Sequence, residues 1–210
     1  MMAEGARIDH SVILGFVSTG AKVLDLGCGD GSLLEKLVRQ RGVTGRGIEI
    51  SEEGVRSCIA KGLTVMQGDI DKGLRDYPDN SFDYVVLNQT LQAVKKPDVV
   101  LSEILRVGKK GIVGFPNFAY WKMRFYLFVY GRMPKTEFLP YEWYDTPNIH
   151  FCSILDFREY CGKHDVRIEK SVYLSADRGG RILRGVRPNL FAENAVYLLS
   201  DGRRARSTPS

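Results

Sequence analysis

Three acids stand where strand-like runs meet loops: Asp25 in "VLDLGCGDG", Glu49 in "GRGIEI" and Asp69 in "VMQGDID". Gly27, Gly29 and Gly31 follow the first acid in a G-x-G-x-G pattern. Glycine tolerates positive φ and lets a ligand approach the backbone, as a strand-to-helix loop must when it presents a helix N-terminus to a cofactor. The spacing is tighter than the dinucleotide pattern G-x-G-x-x-G. A carboxylate just ahead of the loop repels a pyrophosphate but accepts a hydrogen bond from an ammonium group. The loop therefore points to a cofactor with an amino-acid end and no phosphates; a purely structural tight turn is the competing reading.

Glu49 lies 24 residues beyond Asp25 (49 − 25). An acid at the end of a second strand can accept hydrogen bonds from both hydroxyls of an adenosine ribose. Asp69 follows a third strand, where its carboxylate can receive an adenine amino group with Ile70 against the ring, although Asp is also a common turn residue. The combination fits S-adenosylmethionine or S-adenosylhomocysteine, with Asp25 and Gly27 at the methionine end, Glu49 at the ribose and Asp69 at the base. Cys28, Gly29, Gly31, Ile50, Gly68, Ile70 and Asn88 complete the expected cofactor-binding set.

The elements that position these residues are legible in the apolar pattern. Ile8, Val12, Ile13, Phe16 and Val17 fit a short helix with one apolar side. Lys22 to Leu26 reads as a strand, Ser32 to Arg39 as a helix, "GVTGRGIEIS" as a strand ending at Glu49, and Glu52 to Lys61 as a helix. "LTVMQGDI" supplies a third strand ending before Gly68. Phe82 to Leu87 has the aromatic and β-branched residues of a buried central strand. Pro97 opens the next helix, where its missing N–H costs nothing, and "GIVGFP" is a strand stopped by Pro116. Strands alternating with helices over 22–116 predict a parallel sheet with crossover helices. Ile154 to Cys161 reads as a helix and Val166 to Leu174 as a strand. Ala195 to Leu199 is a last strand with no crossover helix before it, and is expected to run antiparallel.

The first half of the chain resembles the class I S-adenosylmethionine-dependent methyltransferases. The longer runs "SFDYVVLNQTLQAV", "RVGKKGIVGFPNFAYWKMR" and "GRMPKTEFLPYEWYDTPNIHFCSILDFREYC", with those above, are similar to the methionine-biosynthesis MetW family over roughly residues 20–161. The resemblance implies one Rossmann-like α/β domain over 1–201, with a mostly parallel seven-stranded sheet, an antiparallel last strand and helices on both faces. A flexible basic tail is expected at 202–210. The resemblance further implies a role in methionine synthesis through a partner, the pathway's homoserine O-acyltransferase. The alternative is an active methyltransferase acting on a small molecule.

Methyl transfer from a sulfonium needs alignment and exclusion of water more than covalent machinery, so the lack of a Ser–His–Asp set does not exclude it. The lack of a G-x-S-x-G elbow does argue against this chain being the acyltransferase itself. No catalytic residue is assigned. Pocket candidates are Asn88 and Gln89 at the end of the fourth strand, His150, and Tyr120. Asn88 and Gln89 are read as holding a substrate or the methionine carboxylate, or as plain strand caps; His150 is read as facing the pocket or as structural. His10 and His164 carry no such pattern, and no His/Cys/Asp spacing suggests a metal.

Residues 117–150 depart from the rest. Phe118, Tyr120, Trp121, Phe125, Tyr126, Phe128 and Tyr130 crowd together, and Pro134, Pro140 and Pro147 follow. Three readings stay open for this insertion: a lid over a substrate pocket, a surface docking a partner protein, or plain core. Lys122 and Arg124 break the run, so it is not expected to enter a membrane. Glu137, Glu142 and Asp145 argue against a nucleic-acid face.

The bulk numbers agree with one soluble domain: 210 residues, 44% hydrophobic and 26% charged, with no apolar run long enough to span a bilayer. Cys28, Cys58, Cys152 and Cys161 form no CxxC pair and suit reduced thiols, and the start lacks a signal-peptide core; a cytoplasmic location is expected. The net charge of +5 is partly local, in Arg178, Arg181, Arg184 and Arg187 and in Arg203, Arg204 and Arg206. A solvated face, a partner patch and an anionic ligand are all compatible with it. A homodimer is a further partner reading.

Overall fold

The computed structural model describes residues 8–135, 140–175, 181–183 and 187–203. Arg178, Arg184 and Glu137, and the tail from 204 with Arg204 and Arg206, lie outside the described residues. Among the described residues seven helices and eight strands follow in order: α1 (Ile8–Phe16), β1 (Lys22–Leu26), α2 (Ser32–Arg41), β2 (Thr44–Glu49), α3 (Glu52–Ala60), β3 (Val65–Gln67), β4 (Phe82–Asn88), α4 (Pro97–Val107), β5 (Gly108–Pro116), α5 (Trp121–Tyr130), α6 (Ile154–Lys163), β6 (Val166–Ser175), β7 (Arg181–Ile182), α7 (Pro188–Phe191) and β8 (Asn194–Asp201).

One sheet carries them in the order β3-β2-β1-β4-β5-β8-β6-β7. β1 to β5 pair in parallel. β8 enters antiparallel between β5 and β6. The expected antiparallel last strand is therefore β8, and seven strands make the main sheet. The two-residue β7 adds a short antiparallel edge on β6 that the apolar pattern did not announce.

The sheet is buried on both faces because its central strands are apolar on both alternating sets of positions. In β4, Val85 and Leu87 join Leu24, Val113, Phe115, Ile104 and Phe157 on the face covered by α4 and α6. Tyr84 and Val86 join Val23, Ile112 and Val196 on the other face, with Ile13 of α1 and Leu33 and Leu37 of α2. A doubly covered parallel sheet leaves its carboxyl ends as the open crevice, and the acids identified above sit there. Among the described residues no helix is long and apolar enough to cross a membrane.

α4 begins on Pro97 and α6 on a capping box, in which Ser153 and Asp156 exchange side-chain and backbone bonds. Asn117 fixes the exit from β5: its N–H donates to the Glu193 carbonyl at 2.7 Å and its amide to the Ala192 and Asn189 carbonyls. The aromatic segment starts from that clamp.

Candidate functional site

The glycine loop joins β1 to α2. Gly27, Gly29 and Gly31 adopt φ of 66°, 56° and 77°, which disfavours any side chain at all three. A Cβ on Gly27 would stand 2.8 Å from Thr90, whereas the space beside Gly29 is open. The Gly27 and Cys28 N–H groups both donate to the Ile48 carbonyl, which ties the loop to the end of β2.

Glu49 holds the loop from the side. One carboxylate oxygen accepts from the Gly29 N–H and the other from the Ser51 N–H, each at 2.8 Å. Cys28 and Cys58 place their sulfurs 3.8 Å apart behind the loop, and burial, followed by the charge of Asp25, pushes the Cys28 thiol well up. Both are inert apolar packing at neutral pH.

A cleft of about 430 Å³ opens beside this loop. Asp25, Gly27, Cys28, Gly29, Asn88 and Gln89 line it, so six predicted site residues converge there. Asp25 is 2% exposed and its Oδ2 has no hydrogen-bond partner. Burial, and then the negative charge of Glu49, raise its pKa to about 7. A buried carboxylate with an idle oxygen that faces a cavity is costly unless a donor arrives. Asp30, at the rim, is answered: burial works against its charge, but bonds from Ser32 and Lys61 prevail and hold it down to about 2.

The far wall is built by the turn after β4. Gln89 takes a φ of 57° and its N–H donates to the Gly114 carbonyl at 2.8 Å. The Gln92 amide donates to the Gln89 carbonyl, and the Gln92 carbonyl accepts from Ile149 and His150. Gln89 Nε2 and Gln92 Oε1 are buried without partners and add a donor and an acceptor to the cleft's idle polar atoms. Asn88 donates to Asp9 at 2.7 Å, and its Oδ1 lies so close to Gly114 that a methyl at 114 would collide with it.

Asp9 and His10 of α1 line the same cleft and were missed in the sequence. α1 announces only its apolar stripe; nothing marks which turn reaches the strand ends. In the segment 140–148, which the sequence left open between lid, partner surface and core, Pro140, Tyr141, Pro147 and Asn148 line the cleft.

Other predicted residues stand elsewhere. Asp69 caps the short 3-10 turn Ile70–Lys72 by accepting from the Asp71 N–H. Gly68 donates to the Glu49 carbonyl, and Ile70 packs partly against the main core, while Ile50 is exposed next to Glu49. These residues continue the row of strand ends past Glu49 without lining the cleft. Tyr120 is 1% exposed and packs with Met123 and Phe118 in a small separate cluster. His150 lies outside the cleft lining; its Nε2 is buried without a partner. No group of three metal-ligating side chains occurs among the described residues.

A family model described as "Methionine biosynthesis protein MetW" matches residues 7–199. The bifunctional methionine biosynthesis protein MetXA/MetW of Rhodopirellula baltica is 39% identical over 200 residues, which cover 90% of this chain and 32% of that protein. A demethylmenaquinone methyltransferase of Bacillus licheniformis is 28% identical over 152 residues, 64% of this chain and 66% of that one. The chain thus spans about a third of the first relative's length and just under two thirds of the second's. Among solved structures, a S-adenosylmethionine-dependent methyltransferase from Thermotoga maritima superposes with a TM-score of 0.69 at 18% identity, covering 93% of this chain and 89% of that one. One from Mesorhizobium loti gives 0.68 at 16% identity, covering 94% and 98%. At these identities the structures show a shared fold.

Proposed function

The chain belongs to the MetW family, and from that premise we propose that it binds S-adenosylmethionine and assists the homoserine O-acyltransferase of methionine synthesis in the cytoplasm. The observation that carries the ligand reading is the idle, buried Asp25 oxygen at the open end of β1. Asp25 would hold the ammonium group, a charge-assisted bond of the stronger kind. Gln89 Nε2 offers a donor for the carboxylate, and Gly27, Cys28, Gly29 and Gly31 provide the backbone cradle, where Gly29 leaves open space. Glu49 is already ordered by two N–H donors, so its free lone pairs are preorganised for ribose hydroxyls. Asp69, with Ile50, Gly68 and Ile70 around it, would receive the base. When bound, the sulfonium group supplies an activated methyl. Among the described residues neither Lys nor Arg lines the cleft, which suits a cationic ligand.

The partner reading is supported by the relative whose name joins MetXA and MetW in one chain. Fusion keeps two domains at high effective concentration, which benefits domains that work together. The outward side of α5 is a fitting contact surface: Phe125, Phe128 and Val129 are exposed, Phe128 by 89%. We read residues 117–150 as this docking region. Calorimetric titration with S-adenosylmethionine, and co-purification with the acyltransferase followed by its activity with and without this chain, test the two halves. No heat of binding ends the first; no complex and unchanged activity end the second.

A second reading, methyl transfer to a small molecule, draws support from the relatives that are named methyltransferases. It predicts Asp25-dependent release of S-adenosylhomocysteine from a metabolite extract. Under the first reading that release is absent.

A further inference from the structure

Beside the cleft lies a second hollow of about 990 Å³, between α5 and the segment 140–151. Its inner wall is aromatic and sulfur-bearing, with Met123 and Tyr126 of α5 facing Phe151. The two cavities share one partition. Pro140 and Pro147 line only the cleft, Glu142 and Trp143 only the groove, and Tyr141 and Asn148 line both. We propose that this groove is the part of the acyltransferase interface that reads whether the cleft is occupied. The inference rests on the acyltransferase-assisting role proposed above.

The partition is suited to transmit such a signal. It is pinned at its C-terminal end, where the Ile149 and His150 N–H groups donate to the Gln92 carbonyl at 2.8 and 3.0 Å. Gln92 is itself a cleft residue, tied through its amide to Gln89. At the other end Glu142 pairs with Lys135 on the groove side. Between these anchors the bonds are local, from the Asp145 N–H to the Glu142 carbonyl and from the Asn148 N–H to the Thr146 hydroxyl. A short segment held at two points, with its other bonds local, moves as a piece. A ligand that shifts Tyr141 or Asn148 in the cleft therefore changes the shape of the groove.

The occupant is argued from two facts. The related chain from Rhodopirellula baltica carries this domain together with a MetXA portion, so the domain's surface evolved beside that partner. The groove also carries exposed rings, Trp143 at 75% and Phe151 at 61%. Exposed apolar surface of that extent marks a contact region. Linkage then requires reciprocity: whatever factor the partner imposes on ligand affinity, the ligand imposes on partner affinity.

The test uses the whole chain and the purified homoserine O-acyltransferase of the same organism. S-adenosylmethionine is titrated calorimetrically into the chain alone and into the preformed complex. Complex affinity is then measured with and without saturating S-adenosylmethionine. The expected result is one factor of about fivefold or more, equal in both directions. Trp143→Ala, checked for folding by circular dichroism, is expected to leave ligand affinity of the free chain unchanged and to remove the factor. Identical affinities in complex and free chain would overturn the linkage and leave the association intact. Failure to form any complex would remove both.

Discussion

Residues 22–116 and residues 117–151 contain rings of the same kind and dispose of them in opposite ways. In the first region Phe115 is fully buried, packed against Phe157 and Tyr197 at centroid distances of 4.8 and 5.9 Å. In the second, Phe128, Tyr130, Trp143, Tyr144 and Phe151 stand in solvent. The polar groups are reversed as well. The first region hides Asp25 and Glu49; the second ties off the deeply buried amide of Asn117 with several bonds. One region buries a carboxylate with an idle oxygen at the mouth of a cleft, and the other leaves apolar area uncovered. Both are departures from the most stable arrangement, and the proposed ligand and partner readings rest on them.

The contrast can be broken by changing one residue in each region. Asp25→Asn is expected to weaken S-adenosylmethionine binding by roughly 100-fold, because a charge-assisted bond contributes about 3 kcal/mol. In the ligand-free chain the same change acts the other way. The Asp25 pKa rises on folding from 3.8 to about 7. Native chains therefore bind more protons than unfolded ones between those values, so wild-type stability falls as pH climbs from 4 to 7. The loss sums to ~4 kcal/mol and is complete above pH 7. Denaturant melts at pH 5 and pH 8 should show this slope in the wild type and a flatter one in Asp25→Asn.

Gly114→Ala is next in size. The added methyl meets Asn88 Oδ1, and overpacking of this sort costs about 2 kcal/mol. Melting temperature and ligand affinity should fall together, since Asn88 borders the cleft; a drop in neither would show that the β4 end is softer than described. Phe128→Ser then probes the other region. It should leave stability within about 0.5 kcal/mol of wild type yet weaken the acyltransferase complex tenfold or more, read by calorimetry. Equal complex affinity would sever the uncovered rings from partner binding. The pH dependence of ligand affinity sharpens the first region further. The ammonium group requires ionised Asp25, so affinity should rise about tenfold per pH unit below 7 and level off above it. A flat profile from pH 5.5 to 8.5 would remove Asp25 from the ligand contact.

The two regions also differ in how much could be read ahead of the structure. Through residue 116 the strands and helices follow from local patterns: Lys22–Leu26 and the start at Phe82 agree to the residue, and Asp25, Gly27 and Gly29 meet in one cleft. Such motifs are compact because a strand, a turn and a helix N-terminus are adjacent in the chain. Asp9 and His10 reach the cleft only through the packing of α1 on the sheet, a contact between residues far apart in sequence that no spacing encodes. Tyr120 illustrates the opposite. It sits among exposed rings in sequence, yet it packs inward while its neighbour Trp121 stays partly exposed, a difference set by the turn at Asn117.

The place of β8 has a consequence for the order of assembly. The last strand in chain order among the described residues occupies an interior lane of the sheet, between β5 and β6. Until it arrives, β5 has an unpaired side and β6 has only the two-residue β7 to pair with. Glu193, next to β8, also supplies the carbonyl that secures Asn117. A nascent chain can thus lay down the five parallel strands first, but the Asn117 clamp stays incomplete until Glu193 has been made. Premature stops before residue 194 should yield a sticky, half-built sheet and no smaller working version of the protein.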